Sequence, residues 1–217
     1  MRSTPKGLET PRYKTLRTWP AGGALDGVVE LRQYEPFTAV SKKMGGSGLG
    51  APSDGGAGFM GLAEYLFGGN AEGEEMAMTM PVEISRQEGR EATMSFVIPR
   101  AQAAAPPTPK TDDVVVEEVA ARLVAVKPFS GIATEEEVAR QVDALFAAIE
   151  ADGGTRPLDA RAHSVLQYNA PYTVPWRRRN EIAIVVEQMD EAAAENAENA
   201  EGGGVVSWYD AGVRLYS

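Results

Sequence analysis

Phe67-Gly-Gly-Asn70, followed by Met76-Ala-Met-Thr-Met-Pro-Val82, is the stretch on which the reading of the fold turns. Before it, Phe59, Leu62, Ala63 and Leu66 recur at +3, +4 and +7, which places them on one face of a short helix. Gly68 and Gly69 end that helix, because glycine takes the left-handed C′ conformation readily. Met76 to Ile84 then reads as a strand, with Met76, Met78 and Met80 projecting to one face. A second stretch, Tyr168-Asn-Ala-Pro-Tyr-Thr-Val-Pro-Trp-Arg-Arg-Arg-Asn-Glu181, holds the matching place in the other half of the chain. It too follows a helix-like segment and leads into an apolar strand-like run.

Working outward, Val28 to Val40 reads as a strand with a bend or edge position at Pro36. The Gly- and Ser-rich run Ser41 to Gly58 reads as loop. Ala92 to Ile98 is a further strand, and Ala101 to Lys110 a Pro/Ala linker. In the second half, Val114 to Val119 and Arg122 to Phe129 precede the clearest helix. Thr134 and Glu137 form a T-x-x-E capping box there, and Val138, Val142, Leu145, Phe146 and Ile149 supply an apolar face that Gly153 and Gly154 terminate. Strands at Ala162 to Tyr168 and Glu181 to Glu187 follow. Overlaying Pro36-Phe37 on Pro128-Phe129, Pro81 on Pro171 and Ile98 on Val186 gives offsets of 92, 90 and 88, as a duplication with small deletions would. Each unit reads strand–helix–strand–strand, and the two are expected to share one core. The competing reading is coincidence among short proline matches. The organisation is thus an arm with a short edge strand over 1–27, a domain over 28–187 with repeats at about 28–99 and 114–187, and an acidic linker with a docked aromatic C-terminal segment over 188–217.

The 217 residues are 43% hydrophobic and 24% charged, the make-up of a globular domain. No apolar run approaches the ~18–20 residues of a membrane helix, and Met1 to Trp19 lacks the apolar core of a secretory signal. The absence of cysteine excludes disulfides, thiolate metal sites and a cysteine nucleophile. One histidine, His163, excludes a multi-histidine metal site within one chain. The net charge of −10 disfavours a general nucleic-acid footprint. Asp190, Glu191, Glu195, Glu198 and Glu201 account for half of it, which leaves −5 for the rest and room for a local basic site.

Several segments together resemble the SOUL haem-binding protein family: Leu8-Glu-Thr-Pro-Arg-Tyr13, Val29-Glu-Leu-Arg-Gln-Tyr-Glu-Pro36, Leu62-Ala-Glu-Tyr-Leu-Phe-Gly-Gly-Asn70 with Met76 to Val82, Val126-Lys-Pro-Phe-Ser-Gly131, and Tyr168-Asn-Ala-Pro-Tyr172 with Arg178-Arg-Asn-Glu181. They come in order over about residues 8–187. The resemblance implies an α+β fold: a distorted antiparallel β-barrel of two βαββ repeats with two helices on its outside. It also implies reversible, non-covalent binding of haem or a related tetrapyrrole in a shallow apolar groove beside the first helix. In that family's best-known branch no side chain is required on the iron, and basic groups lie near the propionates.

Carried onto this chain, the wall would be Leu62, Ala63 and Leu66, with Met76 and Met78 as adaptable surface. Tyr168, Tyr172 and Trp176 would give aromatic faces, and Arg177 and Arg178 would pair with propionates. Each has a plainer reading: Leu62, Leu66 and the methionines as core, Tyr168, Pro171 and Pro175 as turn. Arg179, Asn180 and Glu181 read as structural, because a strand entry needs its backbone groups satisfied. The loop Gly45 to Gly58 offers Ser47, Ser53 and Asp54 but no cation beside the helix, so a basic rim is not expected from there. His163 reads as a sheet residue rather than an iron ligand. The functional expectation is tetrapyrrole buffering or transport in the cytosol or a plastid, the plastid by analogy with the family's occurrence in plants and algae. The alternative is an adaptor that keeps the fold with a degenerate groove and binds a protein through its C-terminal segment. No nucleophile–base pair marks an enzyme.

Overall fold

A computed structural model of the chain describes residues 5–21, 27–45 and 52–189. Its order is β1 (Tyr13–Pro20), β2 (Val28–Tyr34), β3 (Phe37–Lys43), α1 (Pro52–Leu66), β4 (Val82–Gln87), β5 (Thr93–Val97), α2 (Arg100–Ala103), β6 (Val114–Val119), β7 (Arg122–Phe129), α3 (Glu135–Asp152), β8 (Thr155–Pro157), β9 (Ala162–Gln167) and β10 (Asn180–Gln188). The strands form one antiparallel sheet in the order β1-β2-β7-β10-β9-β4-β5-β3-β6, with β8 attached to β10. It is a curled sheet, a half-barrel whose edges β1 and β6 stay apart, and α1 and α3 lie against its outer face.

Neighbour relations repeat about the β9–β4 pairing at the centre. On one side run β4, β5 and β3 beneath α1. On the other run β9, β10 and β7 beneath α3. The strand that precedes each unit crosses over: β2 pairs with β7, and β6 with β3. Neither unit completes its own sheet. The overlaid prolines do not occupy equivalent places, however. Pro36-Phe37 opens β3 whereas Pro128-Phe129 closes β7, and Pro81 precedes β4 whereas Pro171 follows β9.

Strand alternation sends side chains to two faces. In β7, Leu123 and Ala125 join the cluster under α3 (Val138, Val142, Leu145, Phe146, Ile149), while Val124 and Val126 point into the concave side. Under α1, Leu62, Ala63, Tyr65 and Leu66 close over Val40, Ile84, Met94, Phe96 and Ile98. Burying each large aliphatic side chain in these layers is worth about 1.5–3 kcal/mol.

The quoted Phe67-Gly-Gly-Asn70 stretch is a helix stop. Gly68 has φ +90°, and Gly69 N–H donates to the Glu64 carbonyl at 2.8 Å. A Cβ on Gly69 would meet Glu64 Cγ at 2.5 Å. Asn70, fully buried, donates to the Tyr65 and Glu74 carbonyls at 3.0 and 2.7 Å and accepts from Glu74 N–H at 2.9 Å. At α3, Thr134 accepts from Glu137 N–H at 3.2 Å. The reciprocal half of the capping box is missing, because the Glu137 carboxylate accepts from Arg140 and Gln141 instead.

Three expectations are corrected. Val28 to Val40 is two strands, broken at Glu35-Pro36. The first helix begins at Pro52, inside the stretch read as loop. The strand from Met76 starts only at Val82, since Pro81 has no N–H to extend the ladder; Thr79 bridges to Glu9, and Met80 N–H donates to the Glu9 carbonyl at 2.9 Å. Met76 and Met78 consequently face the α1 layer and Met80 the concave side. The β1 edge strand read within the arm is part of the main sheet. The expected C-terminal segment, beyond residue 189, lies outside the described residues, as do the side chains of Ser47, Ser53 and Asp54. No described helix is long and apolar enough to cross a membrane.

Candidate ligand cavity on the concave face

The concave side holds a cavity of about 280 Å³. Its apolar lining comes from across the fold: Tyr34 of β2, Phe37 of β3, Val97 of β5, Val124 of β7, Leu166 of β9 and Ala183 of β10, with Met80, Tyr168, and Leu8, Pro11 and Tyr13 from the N-terminal arm. Glu83, Arg122 and Arg179 are its charged lining. A more polar cleft of about 450 Å³ continues from it and shares Ala39, Glu83, Ser95, Arg122 and Ala183.

A buried charge network forms one wall. Arg32 of β2 and Glu181 of β10, both fully buried, meet in a two-pronged pair at 2.8 and 3.0 Å. Arg32 also donates to Glu30 at 2.9 Å, and Tyr168 O–H and Arg179 Nε–H donate to Glu181 at 2.8 and 2.9 Å. Burial alone would raise the Glu181 carboxyl, but Arg32 and Arg179 hold it below the usual carboxylate range. Burial, joined by the Glu181 charge, raises the Tyr168 phenol well above its ordinary value, and burial pushes Tyr34 up to about 12. The guanidiniums of Arg32 and Arg179 lie 4.4 Å from the ring centres of Tyr13 and Tyr168, and the Tyr13 and Tyr34 rings are 5.0 Å apart. Three tyrosines are thereby fixed in place at the cavity.

The residues expected to form the site are scattered. Leu62, Ala63, Leu66 and Met76 are buried and Met78 half-buried in the layer between α1 and the sheet. The same periodicity that aligns these residues packs them onto β3–β5. Tyr168 is brought to the concave cavity. Tyr172 and Trp176, 91% and 71% exposed, sit on the loop between β9 and β10. Arg178 braces that loop: its guanidinium donates to the carbonyls of Thr173 (2.8 Å) and Pro171. Arg177 lies in the single 3-10 turn of that loop, Pro175–Arg177. Asn180 serves as an expected strand-entry support, donating to Gly131 O at 3.1 Å, and Asn169, which the sequence reading did not name, accepts from Arg179 N–H at 2.7 Å.

Sequence reading missed Arg32 and Arg122, and it took Arg179 and Glu181 for supports of the strand entry without their charge network. A signal existed in burial-prone sequence around them: Arg32 follows Leu31 in the strand Val28–Tyr34, and Glu181 stands directly before the apolar run Ile182–Val186. His163 is not in the apolar cavity but borders the polar cleft. It is one residue out of step with Ser164 and Leu166, opposite Arg86 in the β4–β9 register. Burial, then the Arg86 charge, push its pKa down to about 4. Among the described residues no cluster of three His, Cys, Asp or Glu side chains could hold a metal ion.

The family model for the SOUL heme-binding protein matches residues 8–185. The chain belongs to that family. The SOUL chain is 28% identical over 197 residues to "Heme-binding protein 2" of Homo sapiens, covering 88% of this chain and 91% of that one. It is 27% identical over 206 residues to "Heme-binding protein 2" of Mus musculus, covering 89% and 93%. Both relatives bear the names of binding proteins rather than enzymes. Among solved structures, the C-terminal domain of EcmrR superposes with a TM-score of 0.54 at 10% identity, covering 74% of this chain and 98% of that domain. That likeness shows the fold alone.

Proposed function

We propose that this SOUL chain binds haem or a related tetrapyrrole non-covalently at the concave cavity and acts as a carrier or buffer for it. The observation that carries the reading is the apolar, aromatic-lined cavity with two arginines in its lining. Its residues fit such a ligand: tyrosine, phenylalanine and aliphatic side chains suit a flat apolar ring, and the unmet buried N–H of Arg122 suits a carboxylate. Haem would bring its iron; Arg122 and Arg179 would take its propionates, and the ring would rest on Phe37, Leu166 and Tyr168. The cavity sits just below the ~300–1,000 Å³ of ordinary small-molecule pockets, so a macrocycle extends out of it. The loop that leaves at Tyr168 and returns at Arg179, both lining residues, carries Tyr172 and Trp176 as surface for the protruding part. The two matching sheet units are consistent with a duplicated ancestor, and the cysteine-free composition suits a carrier in the cytosol or a plastid.

Titration with haem, protoporphyrin and a chlorophyll precursor, followed by absorbance and fluorescence, tests the proposal. The expected result is a saturable change with micromolar or tighter affinity, abolished by Ala183→Phe, which fills the cavity. No saturable change with any of the three, together with a co-purifying protein, would favour the adaptor role through residues 188–217. Slow conversion of bound haem to product would make the protein an enzyme.

A further inference from the structure

We infer that the polar cleft adjoining the concave cavity reads the N–H groups of an open-chain tetrapyrrole, so that the site prefers open-chain pigments to closed rings. This rests on the proposed binding function and names the ligand class of that same site. The cleft, about 450 Å³, shares Glu83, Ser95 and Ala183 with the apolar cavity of about 280 Å³. Strand alternation lays the two along one trough. On β5 the concave residues run Val97, Ser95, Thr93, and on β9 they run Leu166, Ser164, Ala162. Each step of two residues is about 7 Å. Apolar side chains thus give way to hydroxyls along the same strands.

The register sets those hydroxyls side by side. Ser85 of β4 pairs with Thr93 on one side and Ser164 on the other, and Glu83, one step nearer the apolar cavity, lies opposite Ser95 and Leu166. The Glu83 carboxylate accepts from Ser164 Oγ at 2.7 Å through Oε1. Its Oε2 lies 3.6 Å from Arg122, beyond hydrogen-bonding distance, and so stands at the junction with room to accept an N–H. A closed macrocycle turns its N–H groups inward, where no side chain at its edge reaches them. An open chain shows them along its edge, together with the N–H and C=O of its terminal lactams. Serine and threonine hydroxyls match both, because each donates and accepts. A rigid ring that overfills the apolar cavity protrudes at its rim, whereas an open chain bends along the trough. The two volumes together fall within the ~300–1,000 Å³ of ordinary ligand pockets.

The test titrates biliverdin and protoporphyrin against the full chain, followed by visible absorbance and circular dichroism. Wild type is expected to bind biliverdin about tenfold more tightly than protoporphyrin, with an induced dichroism band as one twist of the open chain is held. Glu83→Ala is expected to bring that ratio close to one. Arg122, released from Glu83, acts on the propionates that both pigments carry, so the ratio isolates the N–H contact. Biliverdin binding no more tightly than protoporphyrin in wild type, or a ratio that survives Glu83→Ala, overturns the inference while leaving tetrapyrrole binding intact. Failure of wild type to bind either pigment overturns the proposed function and this inference with it. Should Glu83→Ala not fold, Ser85→Ala with Thr93→Val carries the test. That pair is expected to weaken biliverdin about fivefold and protoporphyrin less than about twofold, and equal losses overturn the inference.

Discussion

The two apolar faces of this sheet are assembled in opposite ways. The outer face is local: α1 returns onto β3 and β5 of its own unit, α3 onto β7 and β10 of its own, and the buried side chains recur at helical spacing. The concave face is interleaved. Its lining comes from β2, β3, β5, β7, β9 and β10 together, closed by Leu8, Pro11 and Tyr13 from the start of the chain. The outer face is filled. The inner face keeps a cavity, and the Arg32–Glu181 pair lies behind the Tyr34, Tyr168 and Arg179 that line it. On the proposed function, ligand binding falls on the concave face alone while stability draws on both, and substitutions can separate the two.

The largest expected effect is at the wall of the concave face. Glu181→Ala leaves Arg32 fully buried with its two-pronged partner gone, and should cost about 3–5 kcal/mol in urea unfolding. Replacing both, as Arg32→Met with Glu181→Leu, should recover most of that loss. A cost for Glu181→Ala below about 1 kcal/mol would mean that the pair does not hold the concave face open. Next comes the crossed comparison. Leu66→Ala, under α1, should cost about 2–5 kcal/mol while the folded variant keeps wild-type porphyrin affinity. Ala183→Phe should cost only about 1–3 kcal/mol and abolish binding. If Leu66→Ala weakens porphyrin binding as strongly as Ala183→Phe, the ligand lies beside α1 after all.

The difference in assembly also explains what could be read in advance. β6, β7 and α3 were legible almost to the residue, because period-2 and period-3.6 patterns and a Thr134 cap are local signals. The helix stop at Gly68-Gly69 was legible from backbone chemistry alone. The concave cavity was not. Phe37, Val124, Leu166 and Ala183 carry no pattern that marks one surface until β2 is known to cross to β7 and β9 to meet β4. The expected groove meets the same difficulty in reverse: the periodicity of Leu62, Ala63 and Leu66 is what packing needs, and a ligand wall leaves no different mark. Pairing of Arg32 with Glu181 was hidden by their separation of 149 positions along the chain.

A smaller effect concerns the outer face again. His163 has a folded pKa of about 4, below its ordinary 6.5, so the unfolded chain takes up the proton first. Stability should be level above pH 6.5 and fall as pH drops toward 4, by up to about 3 kcal/mol from this group. His163→Leu should flatten that part of the pH profile: the melting-temperature difference between variant and wild type should favour the variant more at pH 5 than at pH 7.5. Because His163 does not line the apolar cavity and alternates with Leu166 along β9, the Soret band of added haem should be the same in His163→Ala as in wild type. A shifted band would put the imidazole on the ligand's side of the sheet.

The smallest expected effect on stability is at the loop rim. Trp176 is 71% exposed, and the loop is braced by Arg178 rather than by that indole. Trp176→Ala should therefore change unfolding free energy by no more than about 0.5 kcal/mol. If the macrocycle extends beyond the cavity, stacking on the indole contributes about 0.5–1.5 kcal/mol, and the same substitution should weaken protoporphyrin binding about two- to tenfold. Unchanged affinity would confine the ligand to the interior and favour one smaller than a tetrapyrrole. A loss comparable to that of Ala183→Phe would move the main contact to the loop and leave the concave cavity as a secondary feature, reversing the division of labour between the faces.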